Sequence, residues 1–347
     1  MVASRDRAGA RRPLLLALAA VVAAGLVGRV LAPAAAAGAP APLAEPDRTA
    51  PAALPPGNQG SAVWSGDFPD PFVLAVGPLY YAYATEAGTT KVQTLVSPDL
   101  AHWSWVGDAL ASLPAWSQPG HVWAPSVLPT QSGYVMFYAT RQRSTGQQCI
   151  SRAVSASPQG PFVDRSAAPF LCQTSRGGSI DPSPFTDAGG GLWLAWKSEG
   201  TLSGEPTRIW SERLTPAADA LVGPASSLIS TTQPWEGPIV EGPSMVRQGG
   251  RYYLFYSANR WETASYAIGY AVCAGPAGPC AKPLSGPILA SHGDEAGPGS
   301  PSVFMAGGVL RVAFHAWTTP RVGYPAGARS LHIGTVAFSG GIPYIHG

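Results

Sequence analysis

Three carboxylates in this 347-residue chain lie at or next to a repeated proline step, which suggests that they act together. Asp70 lies in FPDPF, Asp181 in SIDPSPF and Glu241 in VEGPSM. Two carboxyl groups can hydrolyse a glycosidic bond, because one protonates the leaving oxygen and the other activates water or attacks the sugar. A third acid nearby raises the pKa of the proton donor by like-charge repulsion. The set predicts a glycosidase site, and a calcium cage is the alternative.

Two glutamates five residues apart compete for the third position. Glu241 adjoins the Pro-Ser step that begins at Pro243, whereas Glu236 lies in the connecting loop. We therefore assign the chemistry to Glu241. Glu236 is predicted to be a rim or structural residue.

Aromatic residues near the acids favour a sugar site over a calcium cage, because the apolar faces of sugars stack on rings. They are Phe72, Trp123, Trp196 and Trp235. His315, in VAFHAW, is the other polar residue predicted to face the central channel. It is either a satisfied core histidine, or a residue that orients a carboxylate or lies over a central ion through water.

The acids belong to a repeat in which a proline opens a short apolar strand five times, at intervals of 54 to 61 residues. The prolines are Pro71, Pro125, Pro182, Pro243 and Pro301. Self-similarity at such a period indicates one supersecondary unit copied around an axis. Equivalent positions of a radial repeat face the same centre, so the three carboxylates are predicted to converge there.

Each repeat continues with a glycine turn and an aromatic strand, and in most repeats a third strand follows. In GGRYYLFYSAN, from Gly249, large apolar residues alternate with small or polar ones, which is the period of a half-buried strand. Thirty-six prolines and 41 glycines would break long helices. The predicted fold is all-β, a five-bladed β-propeller. A sandwich is the alternative, but it does not explain the period.

Residues 1–37 have the features of a secretory signal, and an uncleaved anchor is the alternative. A basic start precedes a mainly apolar stretch over residues 14–31, and small residues at 34–38 offer a cleavage site. Residues 38–61 are rich in Ala, Pro and Gly and are predicted to form a flexible linker. The catalytic propeller is predicted over 62–347, and the protein is predicted to be secreted, without membrane attachment after cleavage.

Charge and cysteine content narrow the classes of partner. After removal of residues 1–37, which hold five arginines and one aspartate, 17 basic and 19 acidic residues remain. No basic field exists to hold nucleic acid or anionic lipid, so a neutral partner is expected. Four cysteines fit an oxidising compartment, with Cys273 and Cys280 closing a small loop and Cys149 pairing with Cys172. Free buried thiols are the alternative.

In the order FPDPF, WAPSV, SIDPSPF, VEGPSM and FHAW, these motifs resemble glycoside hydrolase family 43 over nearly all of residues 62–347. The resemblance implies an inverting enzyme that removes α-L-arabinofuranosyl or β-D-xylosyl units from plant polysaccharides. It implies that no cofactor is required, and that a structural Ca²⁺ can occupy the central channel beside His315. The protein is expected to be a monomer.

By position, Asp70 resembles the family's general base and Glu241 its general acid. Asp181 resembles the residue that tunes the pKa of the acid and orients it. Arg329, in ARSLHI, resembles an arginine that reaches the substrate subsite. With the aromatic residues Phe72, Trp123 and Trp196 it makes up the predicted substrate-binding set. An inverting pair is separated by roughly 6.5–9.5 Å, the range expected between Asp70 and Glu241.

One residue departs from the family pattern. Ser300 stands where many relatives have histidine or glycine, which weakens the expectation of a metal.

Two other functions are alternatives to the hydrolysis of pentosides. A propeller that binds carbohydrate without cleaving it is one alternative function, although all three acids are present. A retaining, fructan-processing propeller is the other, but the chain lacks a nucleophile motif resembling NDPNG.

Overall fold

The structure is a computed structural model that describes residues 61–347, and it is a five-bladed β-propeller as the repeat predicts. The predicted signal segment 1–37 and all but the last residue of the predicted linker 38–61 lie outside the described residues. Among the described residues no helix is long and apolar enough to cross a membrane. The helical segments found in this part of the chain are three short 3-10 turns, Thr174–Arg176, Gly200–Ser203 and Pro234–Glu236.

Each blade is a sheet of four or five strands that carries one of the five prolines at or next to its innermost strand. The first blade contains β1 (Phe72–Val76), β2 (Leu79–Ala84), β3 (Gln93–Ser97) and β4 (Ser104–Asp108). The second contains β5 (Leu110–Ser112), β6 (Ser117–Thr130), β7 (Gly133–Gln142), β8 (Gln148–Ser155) and β9 (Phe162–Val163), with β6 innermost.

The other three blades have four strands each. The third contains β10 (Ser179–Thr186), β11 (Leu192–Ser198), β12 (Arg208–Leu214) and β13 (Leu221–Ser230). The fourth contains β14 (Val240–Gln248), β15 (Arg251–Ala258), β16 (Ala267–Cys273) and β17 (Cys280–Ala281). The fifth contains β18 (Glu295–Ala306), β19 (Val309–Thr318), β20 (Arg329–Ser339) and β21 (Ile342–His346).

The inner strands form a closed ring, because β1, β6, β10, β14 and β18 each contact the next and β18 contacts β1. The start of the described chain strengthens this closure: the N–H groups of Val63 and Phe68 donate to Leu331 and Arg329 on β20 of the last blade, both at 2.9 Å. Closing the ring satisfies backbone groups that an open sheet edge would expose.

Five apolar clusters fill the spaces between neighbouring blades and hold the ring rigid. Between the third and fourth blades, for example, Ile209 packs with Leu254 and Tyr256. Two disulfides cross-link the chain, Cys149–Cys172 in the second blade and Cys273–Cys280 in the fourth. Both pairings are the predicted ones. A scaffold of this kind fixes the inner strands, which present the side chains of the site.

Candidate active site

The residue before each of the five prolines has a positive φ angle, which turns its side chain out of the regular strand alternation. The residues are Asp70 (φ 54°), Ala124 (44°), Asp181 (54°), Gly242 (56°) and Ser300 (53°). In the second to fifth blades the pairing register shifts at this step, as in a β-bulge. Only Gly242 adopts this conformation without the cost of about 1–2 kcal/mol that other residues meet.

The proline that follows Asp70 favours an extended backbone at this residue, but Asp70 is left-handed instead. The N–H group of Asp70 donates to Nδ1 of His315 in the last blade, 3.0 Å away, and this contact fixes the left-handed conformation. Strained backbone held in place by its surroundings is common at functional sites. The five prolines line one narrow axial channel, which confirms that the repeated steps are equivalent.

Asp70 is held as a carboxylate by donors from the first and fifth blades. Thr85 donates to its Oδ2 at 2.7 Å and Ser300 to its Oδ1 at 2.8 Å. The guanidinium of Arg329 lies 3.5 Å from Oδ1. Burial alone would raise the pKa of Asp70, but the charge of Arg329 and the two hydroxyl donors outweigh burial and lower it. Asp70 is therefore ionised near neutral pH, as a general base must be.

Glu241 has two buried hydrogen-bond donors. Nζ of Lys197 lies 2.8 Å from its Oε2, and the phenol of Tyr266 donates to its Oε1 at 2.8 Å. Burial and the charge of Glu241 raise the pKa of Tyr266 well above its ordinary value, so the phenol keeps its proton and donates. The two contacts fix the position of the Glu241 carboxyl, and 9% of the Glu241 side chain is exposed.

Tyr266 reaches Glu241 because the fifth blade leaves room for its ring. A Cβ atom added to Gly299 would lie 1.9 Å from Cε1 of Tyr266, so only glycine fits at this position. The Tyr266 ring also stacks on His315, with ring centroids 5.8 Å apart. Gly299 and His315 therefore support the contact from Tyr266 to Glu241.

Asp181 has the opposite electrostatic environment from Asp70. Burial and the neighbouring charge of Glu241 raise the pKa of Asp181 to about 8, although Lys197 partly offsets them. Its Oδ2 accepts a hydrogen bond from the N–H of Gly242 at 2.9 Å. Near neutral pH Asp181 holds a proton while Asp70 is ionised, and such a division is expected between acid and base functions.

All three acids line one cavity of about 670 Å³, together with Trp123, Arg329 and Lys197. The structure thus brings together acids from the first, third and fourth blades, although they are 111 and 60 residues apart. The size is typical of small-molecule sites. Trp123, predicted to bind substrate, lines the wall contributed by the second blade.

Arg329 is held by aromatic rings and hydroxyls on the fifth-blade side of the cavity. Its guanidinium lies 4.5 Å from the ring centroid of Trp261, and its Nε and Nη2 each donate to the phenol of Tyr324 at 3.3 Å. The Tyr324 phenol contacts Asp67 in turn at 2.7 Å. The charged end of Arg329 is therefore preorganised beside Asp70.

Two aromatic residues predicted to bind substrate lie elsewhere. Trp196 is fully buried between the second and third blades, where its Nε1 donates to Gln173 at 2.9 Å. Its indole therefore cannot stack on a substrate. Phe72 lines the narrow axial channel rather than the large cavity, and it packs against the core between the first and second blades.

The other two residues weighed in the sequence have structural surroundings. Glu236 is buried, closes the 3-10 turn Pro234–Glu236 as a capping box, and pairs with Lys282. Its structural assignment agrees with the prediction. Trp235 is partly buried and stacks on Tyr256, with ring centroids 6.0 Å apart.

His315 is fully buried, and its surroundings bear on the predicted calcium ion. Burial and the charge of Arg329 lower the pKa of His315 to about 3, so the ring is neutral. Because Nδ1 accepts from Asp70, the proton lies on Nε2, which has no hydrogen-bond partner in residues 61–347. A protonated nitrogen cannot ligate a cation directly, and the described residues contain no group of three or more metal-ligating side chains. The calcium ion stays a prediction.

A propeller whose axial cavity brings three carboxylates from separate blades together defines a class of carbohydrate-active protein, and comparison with known proteins specifies the family. The family model for glycosyl hydrolases family 43 matches residues 60–343. The chain belongs to this family, whose members need no cofactor. The crystal structure of a thermostable family-43 glycoside hydrolase has 30% sequence identity and a TM-score of 0.75, covering 84% of this chain and 96% of that one.

Curated relatives differ in the sugar that their names give. The extracellular endo-α-(1→5)-L-arabinanase 1 of Bacillus subtilis is 27% identical, over 71% of this chain and 80% of its own length. The β-D-galactofuranosidase xynD of Aspergillus niger is 26% identical over 63% of this chain. The chain spans 65% of the length of the Aspergillus protein and 35% of a putative β-xylosidase of Xylanibacter ruminicola.

Proposed function

We propose that residues 62–347 form the catalytic domain of an inverting glycoside hydrolase that removes α-L-arabinofuranosyl or β-D-xylosyl units from plant cell-wall polysaccharides or oligosaccharides. The observation that carries the proposal is that Asp70, Asp181 and Glu241 line one cavity in which the pKa of Asp70 is lowered and the pKa of Asp181 is raised. An ionised base and a group that retains a proton are the two components that inverting hydrolysis needs.

In the proposed reaction, Asp70 accepts a proton from a water molecule whose oxygen attacks the anomeric carbon. The bond from that carbon to the leaving oxygen breaks, and Glu241 gives its proton to this oxygen. Because Asp181 retains a proton up to about pH 8, the Asp181–Glu241 pair carries one proton near neutral pH that Glu241 can deliver. Arg329 and Trp123 line the same cavity and are proposed to hold the sugar by hydrogen bonds and stacking.

A panel of 4-nitrophenyl pentosides and arabino- and xylo-oligosaccharides tests this function. Release of arabinose or xylose is expected, whereas no release from any pentoside would favour a carbohydrate-binding propeller. Release of fructose from fructans with retained configuration would favour the fructan-processing alternative. Arabinose and xylose are both retained as candidates because relatives are named for arabinan and for xylose units.

Replacing Asp181 by asparagine should move the alkaline limb of the pH–kcat/KM profile to lower pH. In the wild type the Asp181 carboxyl keeps its proton to about pH 8, so activity is lost as the pH rises through that value. Asparagine is neutral at every pH and cannot share this proton. Profiles of D181N and wild type on one aryl pentoside measure the shift, and coincident alkaline limbs would refute the tuning role of Asp181.

We also propose that the protein is secreted and acts as a monomer. The predicted signal in residues 1–37 supports secretion, and the Bacillus and Cellvibrio japonicus relatives are named extracellular. Edman sequencing of exported protein should give a start close to residue 38. Light scattering of the purified protein should give the mass of one chain, and a dimer mass would refute the monomer.

A further inference from the structure

Lys197 occupies a position that recurs in every blade. The position is on, or directly after, the strand next to the innermost one, and it faces the residue that lies two positions before the repeated proline. In four blades the register pairs Trp123 with Ala139, Ile180 with Lys197, Glu241 with Ser257, and Gly299 with His315. In the first blade the N–H of Thr85 donates to the oxygen of Pro69 at 3.0 Å. The five equivalent residues are Thr85, Ala139, Lys197, Ser257 and His315.

In three blades the side chain at this position accepts a hydrogen bond from the bulge of the next blade. Each time, a side-chain acceptor takes the N–H of the residue that precedes the next proline. The pairs are Thr85 with Ala124 at 2.9 Å, Ser257 with Ser300 at 2.7 Å, and His315 with Asp70 at 3.0 Å. The fold therefore favours a hydrogen-bond acceptor at this position.

Lys197 cannot serve that purpose, because an ammonium group has no acceptor. The N–H of Gly242, the corresponding donor in the next blade, is accepted instead by Oδ2 of Asp181 at 2.9 Å. Nζ of Lys197 lies 2.8 Å from Glu241 and 3.5 Å from Glu199. Only 4% of the Lys197 side chain is exposed. A buried ion pair of this kind adds little net stability compared with apolar residues of similar volume. Ala139 also lacks an acceptor, but Lys197 is the exception that carries a buried charge, and it therefore points to chemistry rather than to the fold.

We propose that Lys197 is a positioning residue for the reaction: its ammonium orients the carboxyl of Glu241 and balances the negative charge that proton donation leaves on it. The inference rests on the proposed function. As the bond from the anomeric carbon to the leaving oxygen breaks, its electron pair goes to that oxygen, which takes the proton of Glu241. Glu241 ends as a carboxylate beside the ammonium, at a site where burial makes an unbalanced charge costly.

The other groups that face Glu241 do not supply this charge. Tyr266 is a neutral donor from the segment before β16, and Asp181 on β10 and Glu199 beyond β11 are acids. Arg329 is directed to Asp70, 3.5 Å away. Lys197 is thus the cation in contact with Glu241 among the described residues.

The test compares Lys197→Met and Lys197→Arg in the full chain, on substrates with good and poor leaving groups. K197M should lower kcat by about 10²-fold on an oligosaccharide and by less than 10-fold on the matching 4-nitrophenyl pentoside. Its alkaline limb should move above about pH 8, because Lys197 no longer lowers the pKa of Asp181. K197R should restore part of the oligosaccharide activity.

Lys282→Met is the matched control, because it removes a second buried lysine–glutamate pair, Lys282–Glu236, that does not line the acid cavity. K282M should lower the melting temperature without changing the ratio of the two activities or the alkaline limb. Equal losses in K197M on both substrates, with an unmoved limb, would overturn the positioning role.

If K197M folds poorly, a double-mutant cycle with Glu241→Gln still tests the inference. Glu241→Gln removes the carboxylate that K197M leaves without its lysine partner. If Lys197 acts through Glu241, K197M should change the aryl pentoside rate of E241Q by less than 2-fold. A full additive loss in the double variant would overturn the inference. Failure of the wild type to cleave any pentoside would instead refute the proposed function itself.

Discussion

Replacing Glu241 by alanine is expected to reduce hydrolysis of oligosaccharides by 10²- to 10⁴-fold while reducing hydrolysis of activated aryl pentosides much less. A sugar leaving oxygen needs a proton as its bond breaks, whereas a nitrophenolate leaves without one. The range is that of general acid catalysis and corresponds to about 3–5 kcal/mol of transition-state stabilisation. Initial rates of E241A and wild type across aryl pentosides of graded leaving-group pKa measure this difference.

The matched control for E241A is Glu236→Ala, since Glu236 is also a buried glutamate that contacts a lysine. E236A should lower the melting temperature, because it leaves Lys282 unpaired, and should keep the leaving-group dependence of the wild type. A loss in E241A that is the same for every leaving group would be incompatible with an acid role.

Replacing Asp70 by alanine is expected to reduce the rate by a similar 10²- to 10⁴-fold, but irrespective of the leaving group. Water is a poor nucleophile without the base, and Asp70 is the carboxylate whose surroundings favour ionisation. Azide ions fit the space of the missing side chain and need no deprotonation. Azide should therefore restore the rate on an aryl pentoside and give a glycosyl azide of inverted configuration.

Ser300→Ala is a useful companion to D70A, since it removes one hydroxyl donor to Asp70 and retains the carboxylate. It should show a small loss and no azide rescue. If azide fails to accelerate D70A, or gives an azide of retained configuration, Asp70 is not the base.

The fold and the convergence of the acids were predictable from sequence because a radial repeat leaves a strong trace. Proline, glycine and aromatic residues recur at fixed places in all five blades, and a ring with equivalent positions directs those places to one centre. Both disulfides followed from the spacing of four cysteines. The choice of Glu241 over Glu236 followed from its neighbouring proline.

Contacts between blades were not predictable, because they join residues far apart in the chain. Tyr266, Trp261 and Tyr324 line the cavity from loops that carry no repeat signal. Trp196 was assigned to the substrate because it is aromatic and close to Asp181 in sequence, but strand alternation directs it into the core. Alternation does place its neighbour Lys197 on the opposite face, so a lysine within an apolar strand was a usable signal.

The left-handed conformation of Asp70 was also not predictable from local sequence, because it depends on a contact with a distant residue. Local preference before proline favours an extended backbone. The hydrogen bond from Asp70 to His315 joins residues 245 apart and overrides that preference.

The stereochemistry of the first product formed tests the central claim most directly, namely that Asp70 and Glu241 act on opposite sides of one bond. Proton NMR spectra recorded within the first minutes of hydrolysis, before mutarotation, report the anomer that the enzyme releases. The account predicts that the anomeric configuration of the released pentose is inverted relative to the substrate. Release of the retained anomer would contradict it, because Asp70 would then act as a nucleophile rather than as a base that activates water.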